Sequence, residues 1–125
     1  IRSAGLRPVS IQYGPNGPAM AEALGIEHDA AASGGENLTG QAQALVSAVA
    51  LVSVPQTALH LAGALDVRTL GVVANKPAWR YGLSGPMPWY RAVELFRVAD
   101  GEQSWQPVMT RIAATVTKMA KSQAA

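Results

Sequence analysis

The run from Val49 to Arg97, VALVSVPQTALHLAGALDVRTLGVVANKPAWRYGLSGPMPWYRAVELFR, constrains the fold more than any other part of the chain. Ala50–Val54 is short and almost wholly apolar, the pattern of a strand buried on both faces. Pro55 ends it, and Gln56 or Thr57 can cap a helix that runs to about Leu65. Arg68–Ala74 reads as the next strand and Val93–Arg97 as a third. Between them, Asn75 to Tyr90 forms a long loop with three prolines and two glycines, a length often tied to function. Strands alternating with helices imply a parallel sheet, and ligands of such sheets bind outside the carboxyl ends of the strands. The turn after Val54 and the loop after Ala74 both belong at that edge. A helix N-terminus there would face a loop carrying Lys76 and Arg80, a setting that suits a phosphate or diphosphate.

The flanking segments extend the same alternation. Arg7–Tyr13 alternates apolar and polar residues and predicts a strand, ended by the turn cluster Gly14–Pro18. Ala19–Leu24 predicts a helix stopped by Gly25. Ile26–His28 reads as a short edge strand, and Asp29–Gly35 as a surface loop. Thr39 can cap a helix from Gly40 to about Val49. Ser104 can cap a last helix to about Lys121, with Trp105, Val108, Ile112, Val116 and Met119 on one stripe.

The chain has 125 residues, the size of one domain, and 49% of them are hydrophobic, which argues for a folded core and against disorder. There is no cysteine, so disulfides, thiolate metal sites and a cysteine nucleophile are excluded. That fits a cytoplasmic protein. No apolar run reaches the length of a membrane span. The first residues, IRSAGLRP, include no Met and no signal-peptide core, and the expectation is a fragment of a larger protein. The net charge of +2 hides an asymmetry: residues 1–67 carry −3 and residues 68–125 carry +5. Arg68, Lys76, Arg80, Arg91 and Arg97 fall within one stretch. Two readings stand: an anionic ligand near that stretch, or scattered solvated charges. No basic stripe is dense enough for nucleic acid.

Candidate residues cluster at the turn. Gln56, Thr57 and Ala58 could offer side chains and free N–H groups to phosphate oxygens, or could simply cap the helix. His60, one turn in, could contact a diphosphate, or could be a packed histidine holding the loop. Lys76 and Arg80 could neutralise a leaving diphosphate, or could be solvated. Trp79, Tyr81, Trp89 and Tyr90 could stack on a base or sugar, or could pin the loop. Glu94 and Asp66 stand isolated, so the chain offers no general base at this place. His28 and His60 lack the neighbours a metal site needs, and no metal is expected. Asn37-Leu38-Thr39 matches a glycosylation sequon, but a chain without a secretion signal gives it no context.

Thr57, then His60–Leu65 (HLAGAL), Trp79-Arg80-Tyr81, Pro88-Trp89-Tyr90, Leu95-Phe96-Arg97 and finally Trp105 form an ordered set of motifs. On these, the chain resembles the C-terminal half of glycosyltransferases related to the ADP-heptose:lipopolysaccharide heptosyltransferases, glycosyltransferase family nine. The resemblance is to the bacterial branch in which this half follows tetratricopeptide repeats, and it covers roughly Val9 to Val116. It implies a Rossmann-like α/β domain, the donor-binding half of a two-domain B-type glycosyltransferase. It also implies a nucleotide-diphosphate sugar as donor substrate, with no cofactor and no metal requirement. Carried over, the donor contacts fall on Gln56, Thr57, Ala58 and His60. Many members carry Asp at the places of Pro55 and Val49, and often Thr at the place of Gln56. This chain has no carboxylate at either place. The partner would be an N-terminal acceptor half bearing the catalytic base, and this half alone is not expected to turn over. The other reading is a degenerate member serving as an interaction or structural module. In either case an incomplete sheet edge invites a homo-oligomer.

Overall fold

The computed structural model describes residues 2–125. Its centre is a three-stranded parallel sheet of β3 (Leu51–Ser53), β4 (Thr69–Val73) and β5 (Val93–Arg97), in that spatial order. The register sets Leu51 beside Thr69 and Thr69 beside Val93, and ends with Val73 beside Arg97. All five residues of β4 are buried, as its apolar sequence requires of a central strand. A second, two-stranded parallel sheet pairs β1 (Val9–Ser10) with β2 (Glu27–His28).

The alternation of β4 side chains places one helix layer on each face. Leu70 and Val72 point to one side, where Phe96 joins them against Val108, Ile112 and Val116 of α4 (Gln106–Ala124). Val73 and Val93 point to the other side and meet Leu59 of α3 (Thr57–Ala64), with Tyr81 and Met87 from the long loop. Ala58 and Ala62 of α3, with Leu51 and Val67, also contact Leu45 of α2 (Leu38–Ser47). The remaining helix, α1 (Gly17–Ala23), lies between β1 and β2 in the chain. The protein is therefore an α/β fold, a small Rossmann-like parallel sheet flanked by helices, as its pattern of elements predicts. Among the described residues no helix is long and apolar enough to cross a membrane.

Five local expectations are corrected. The first strand is only two residues long, not Arg7–Tyr13. Past Ser10 the chain leaves the ladder with β2, and the Gln12 N–H donates to Ser10 Oγ at 3.3 Å. β3 is an edge strand rather than one buried on both faces, and Val52 is 38% exposed. Asn37, not Thr39, caps α2: its Oδ1 accepts from the Gly40 N–H at 2.9 Å, and Thr39 lies inside the helix. That helix also stops at Ser47, because Ala48 is already extended. Trp105 leaves the buried stripe of α4, which runs through Val108, Ile112, Val116 and Ala120.

α3 ends in a way that bears on the neighbouring loop. The Asp66 N–H donates to Gly63 O and the Val67 N–H to Ala62 O, the two bonds of a Schellman cap. The left-handed residue such a cap needs is Asp66, at φ 58°, where glycine is usual and aspartate is tolerated. α1 closes with the same pair of bonds around Gly25 at φ 62°.

Candidate site at the junction of β3 and α3

At the carboxyl end of β3 the chain passes through Val54 and Pro55 into α3. Gln56 is the N-cap residue and its backbone is extended, but its side chain makes no capping bond. Gln56 Nε2 donates instead to Ser53 Oγ at 2.9 Å, and that hydroxyl donates to Val54 O at 2.8 Å. The N–H groups of Leu59 and His60 close on Gln56 O. Thr57 and Ala58 therefore hold the first helical amides, which have no intrahelical acceptor and no side-chain cap.

Thr57, the first of these residues, lines an open cleft of about 430 Å³ together with Pro55, Gln56, His60, Arg80 and Tyr81. Four of the six residues singled out from the sequence thus converge. Ala58 has its side chain buried in the contact with α2, so only its backbone can serve the site. Lys76 is exposed and does not line the cleft. The long loop forms one wall of the cleft without filling it. A second hollow, of about 460 Å³, lies by the amino ends of β1 and β2, where Arg7 is tied to Glu27 at 2.9 Å. It is away from the edge where ligands of parallel sheets bind.

The wall is held by bonds that no motif spells out. Tyr81 ends a 3-10 turn, Trp79–Tyr81, and is 1% exposed. His60 Nε2 lies 2.8 Å from Tyr81 Oη, and His60 Nδ1 lies 3.4 Å from Tyr90 Oη. Trp89 Nε1 donates to Arg80 O at 2.9 Å. From the end of β5, the Arg97 guanidinium donates to Tyr81 O at 2.6 Å, Gly82 O at 2.9 Å and Gly85 O at 3.0 Å. Arg97 O in turn accepts from Arg111 of α4 at 2.6 Å. Arg97 is the main participant that sequence reasoning missed. Its only signal is its place at the end of a strand whose carboxyl edge faces the loop.

Much of the basic stretch is committed to such internal bonds. Arg68 pairs with Glu94, and Arg91 pairs with Asp66 at 2.6 Å. The Arg91 guanidinium, chiefly through its hydrogen bonds, holds the Asp66 carboxyl below the usual carboxylate range. Arg97 is spent on carbonyl oxygens. Among the described residues Lys76 and Arg80 form no ion pair, and of these two only Arg80 reaches the cleft, its guanidinium 5.3 Å from the centre of the Tyr81 ring. The four aromatic residues divide likewise. Tyr81, Tyr90 and Trp89 are tied down, whereas Trp79 is 82% exposed. Among the described residues no Asp or Glu lines the cleft. No protein-family model, no curated protein and no solved structure matches the chain.

Proposed function

We propose that this chain is the nucleotide-diphosphate-sugar-binding domain of a heptosyltransferase-like glycosyltransferase of family nine. The observation that carries the reading is the cleft at the junction of β3 and α3, where uncapped helical amides and the Arg80 guanidinium approach the same space. Diphosphate oxygens would accept from the Thr57 and Ala58 N–H groups, at the end of the helix whose dipole favours an anion. Arg80 would neutralise the charge that grows on the diphosphate as the sugar leaves, which lowers the barrier to transfer. The cleft offers no carboxylate, so the base that activates the acceptor would come from an acceptor-binding half, in a protein that also carries tetratricopeptide repeats. The lack of cysteine agrees with a cytoplasmic setting.

Calorimetric titration with UDP, GDP and ADP sugars tests this. One of them should bind saturably with one site per chain. Arg80→Gln should weaken that binding about tenfold, the worth of one charge-assisted hydrogen bond. Heat from none of the three would remove the basis of the proposal.

A second reading, an interaction module without catalysis, draws on the exposure of Trp79 and Leu83 on a clamped loop. It predicts that the same titrations stay silent, and that Trp79→Ala abolishes association with a protein partner.

A further inference from the structure

We infer that His60 is a positioning residue: it acts through the Tyr81 hydroxyl to set Arg80 against the cleft, and does not itself hold the phosphate. This rests on the diphosphate reading of the cleft.

Both imidazole nitrogens already face a phenol, at 2.8 Å from Tyr81 and 3.4 Å from Tyr90. A neutral imidazole has one donor and one acceptor nitrogen, and a phenol hydroxyl can be either. Each tautomer is therefore satisfied by the two tyrosines, and neither leaves a ring nitrogen for a third partner. The rings themselves lie close, with centroids 5.8 Å (Tyr81) and 5.7 Å (Tyr90) from that of His60.

Tyr81 is well placed to pass this restraint on. Its ring is buried, its hydroxyl is on His60, and its carbonyl oxygen accepts from Arg97 at 2.6 Å. It is thus fixed at both ends of the residue. Arg80 precedes it in the same tight turn, whose bonds run from Tyr81 N–H to Ala78 O and from Gly82 N–H to Trp79 O. Holding Tyr81 holds the backbone from which Arg80 projects, while Arg80 O is held separately by Trp89. One long cationic side chain is thereby started from a defined point, which reduces what binding must order.

Two readouts test this: affinity for UDP and for inorganic pyrophosphate, and hydrogen exchange of the Tyr81 and Gly82 amides. Variants are His60→Ala, His60→Gln, Tyr81→Phe and Arg80→Gln, singly and combined, each checked by thermal melting. Tyr81→Phe removes one oxygen and keeps the packed ring. His60→Ala and Tyr81→Phe should each weaken binding about fivefold, and the pair together no more than either alone. Neither should weaken binding further in the Arg80→Gln background. Both should raise exchange at Tyr81 and Gly82 by the same factor, and His60→Gln, whose amide can still reach a hydroxyl, should restore much of the protection.

Multiplying losses in the combined variants would show direct contact of His60 with the phosphate and overturn the inference. Unchanged exchange in both single variants would overturn it as well. If the unaltered chain binds neither probe, the diphosphate reading falls. The exchange result then decides alone whether His60 holds this turn.

Discussion

The Tyr90 ring lies across Gly63 on α3 so closely that a methyl group at the glycine would come to 2.5 and 2.6 Å from two ring carbons. The same helix face presents His60 one turn earlier to the Tyr90 hydroxyl, so one aromatic side chain spans two positions of the HLAGAL segment. The glycine is there for close approach, not for backbone freedom. Gly63→Ala sets a helix-propensity gain of about 1 kcal/mol against an overpacking cost of about 1–3 kcal/mol. The clash reaches Tyr90 Cβ, which cannot swing aside, so the cost should win. Urea denaturation should show a net loss of about 1–2 kcal/mol, and the loss should shrink in a Tyr90→Ala background, which removes the ring, and vanish with Tyr90→Gly, which removes the Cβ as well.

Asp66 closes α3 in the left-handed region and pairs with Arg91. Because the pair lowers the folded-state pKa of Asp66, its contribution is present above the unfolded carboxylate pKa and is lost as pH falls through the folded value. Both groups are exposed, so the effect is small. Melting temperatures at pH 7 and pH 3 should differ less for Asp66→Asn than for the unaltered chain. Asp66→Ala should melt below Asp66→Asn at either pH, because neither variant keeps the ion pair and alanine tolerates the left-handed backbone less well than asparagine.

Arg97 secures three loop carbonyls with one planar, five-donor group. Lysine cannot reproduce that fork. Arg97→Lys should cost about 2 kcal/mol, the scale of hydrogen bonds to a charged donor. It should also speed amide exchange within the Trp79–Tyr81 turn and the following glycines while leaving α4 protected. Equal loss of protection in the turn and in α4 would contradict a local clamp.

Asn37 is bonded at both ends of its side chain. Its Oδ1 accepts from Gly40 N–H, and its Nδ2 donates to Ala31 O at 3.0 Å. Asn37→Ala should cost about 1 kcal/mol in denaturant unfolding, as lost caps do.

How far the sequence foretold this arrangement depended on whether a feature is local. β4 and β5 are legible because short apolar runs bounded by turn residues have few other uses: Val93–Arg97 has the expected limits, and β4 is one residue shorter at each end. The limits of α3 follow from Pro55 and the turn after Leu65 in the same way. An apolar run does not reveal that Val52 lies on an edge strand, outside the cluster that α4 forms over Leu70, Val72 and Phe96. Trp105 has helical spacing with Val108, yet it stands at the cap, beyond the reach of the sheet. At the site, Gln56, Thr57, His60 and Arg80 were findable because a turn and a long loop at one sheet edge must face each other. What His60 touches was not. Its partners lie 21 and 30 residues away, and Arg97 reaches carbonyl oxygens, which every residue has.

On the function proposed above, a diphosphate settles against the first amides of α3. A titration of the isotope-labelled chain with UDP, followed through its backbone amide signals, tests this most directly. The largest shifts should fall on Thr57 and Ala58, with smaller ones across Trp79–Tyr81, and all should saturate together. Saturable binding that moves signals elsewhere and leaves Thr57 and Ala58 in place would contradict the account.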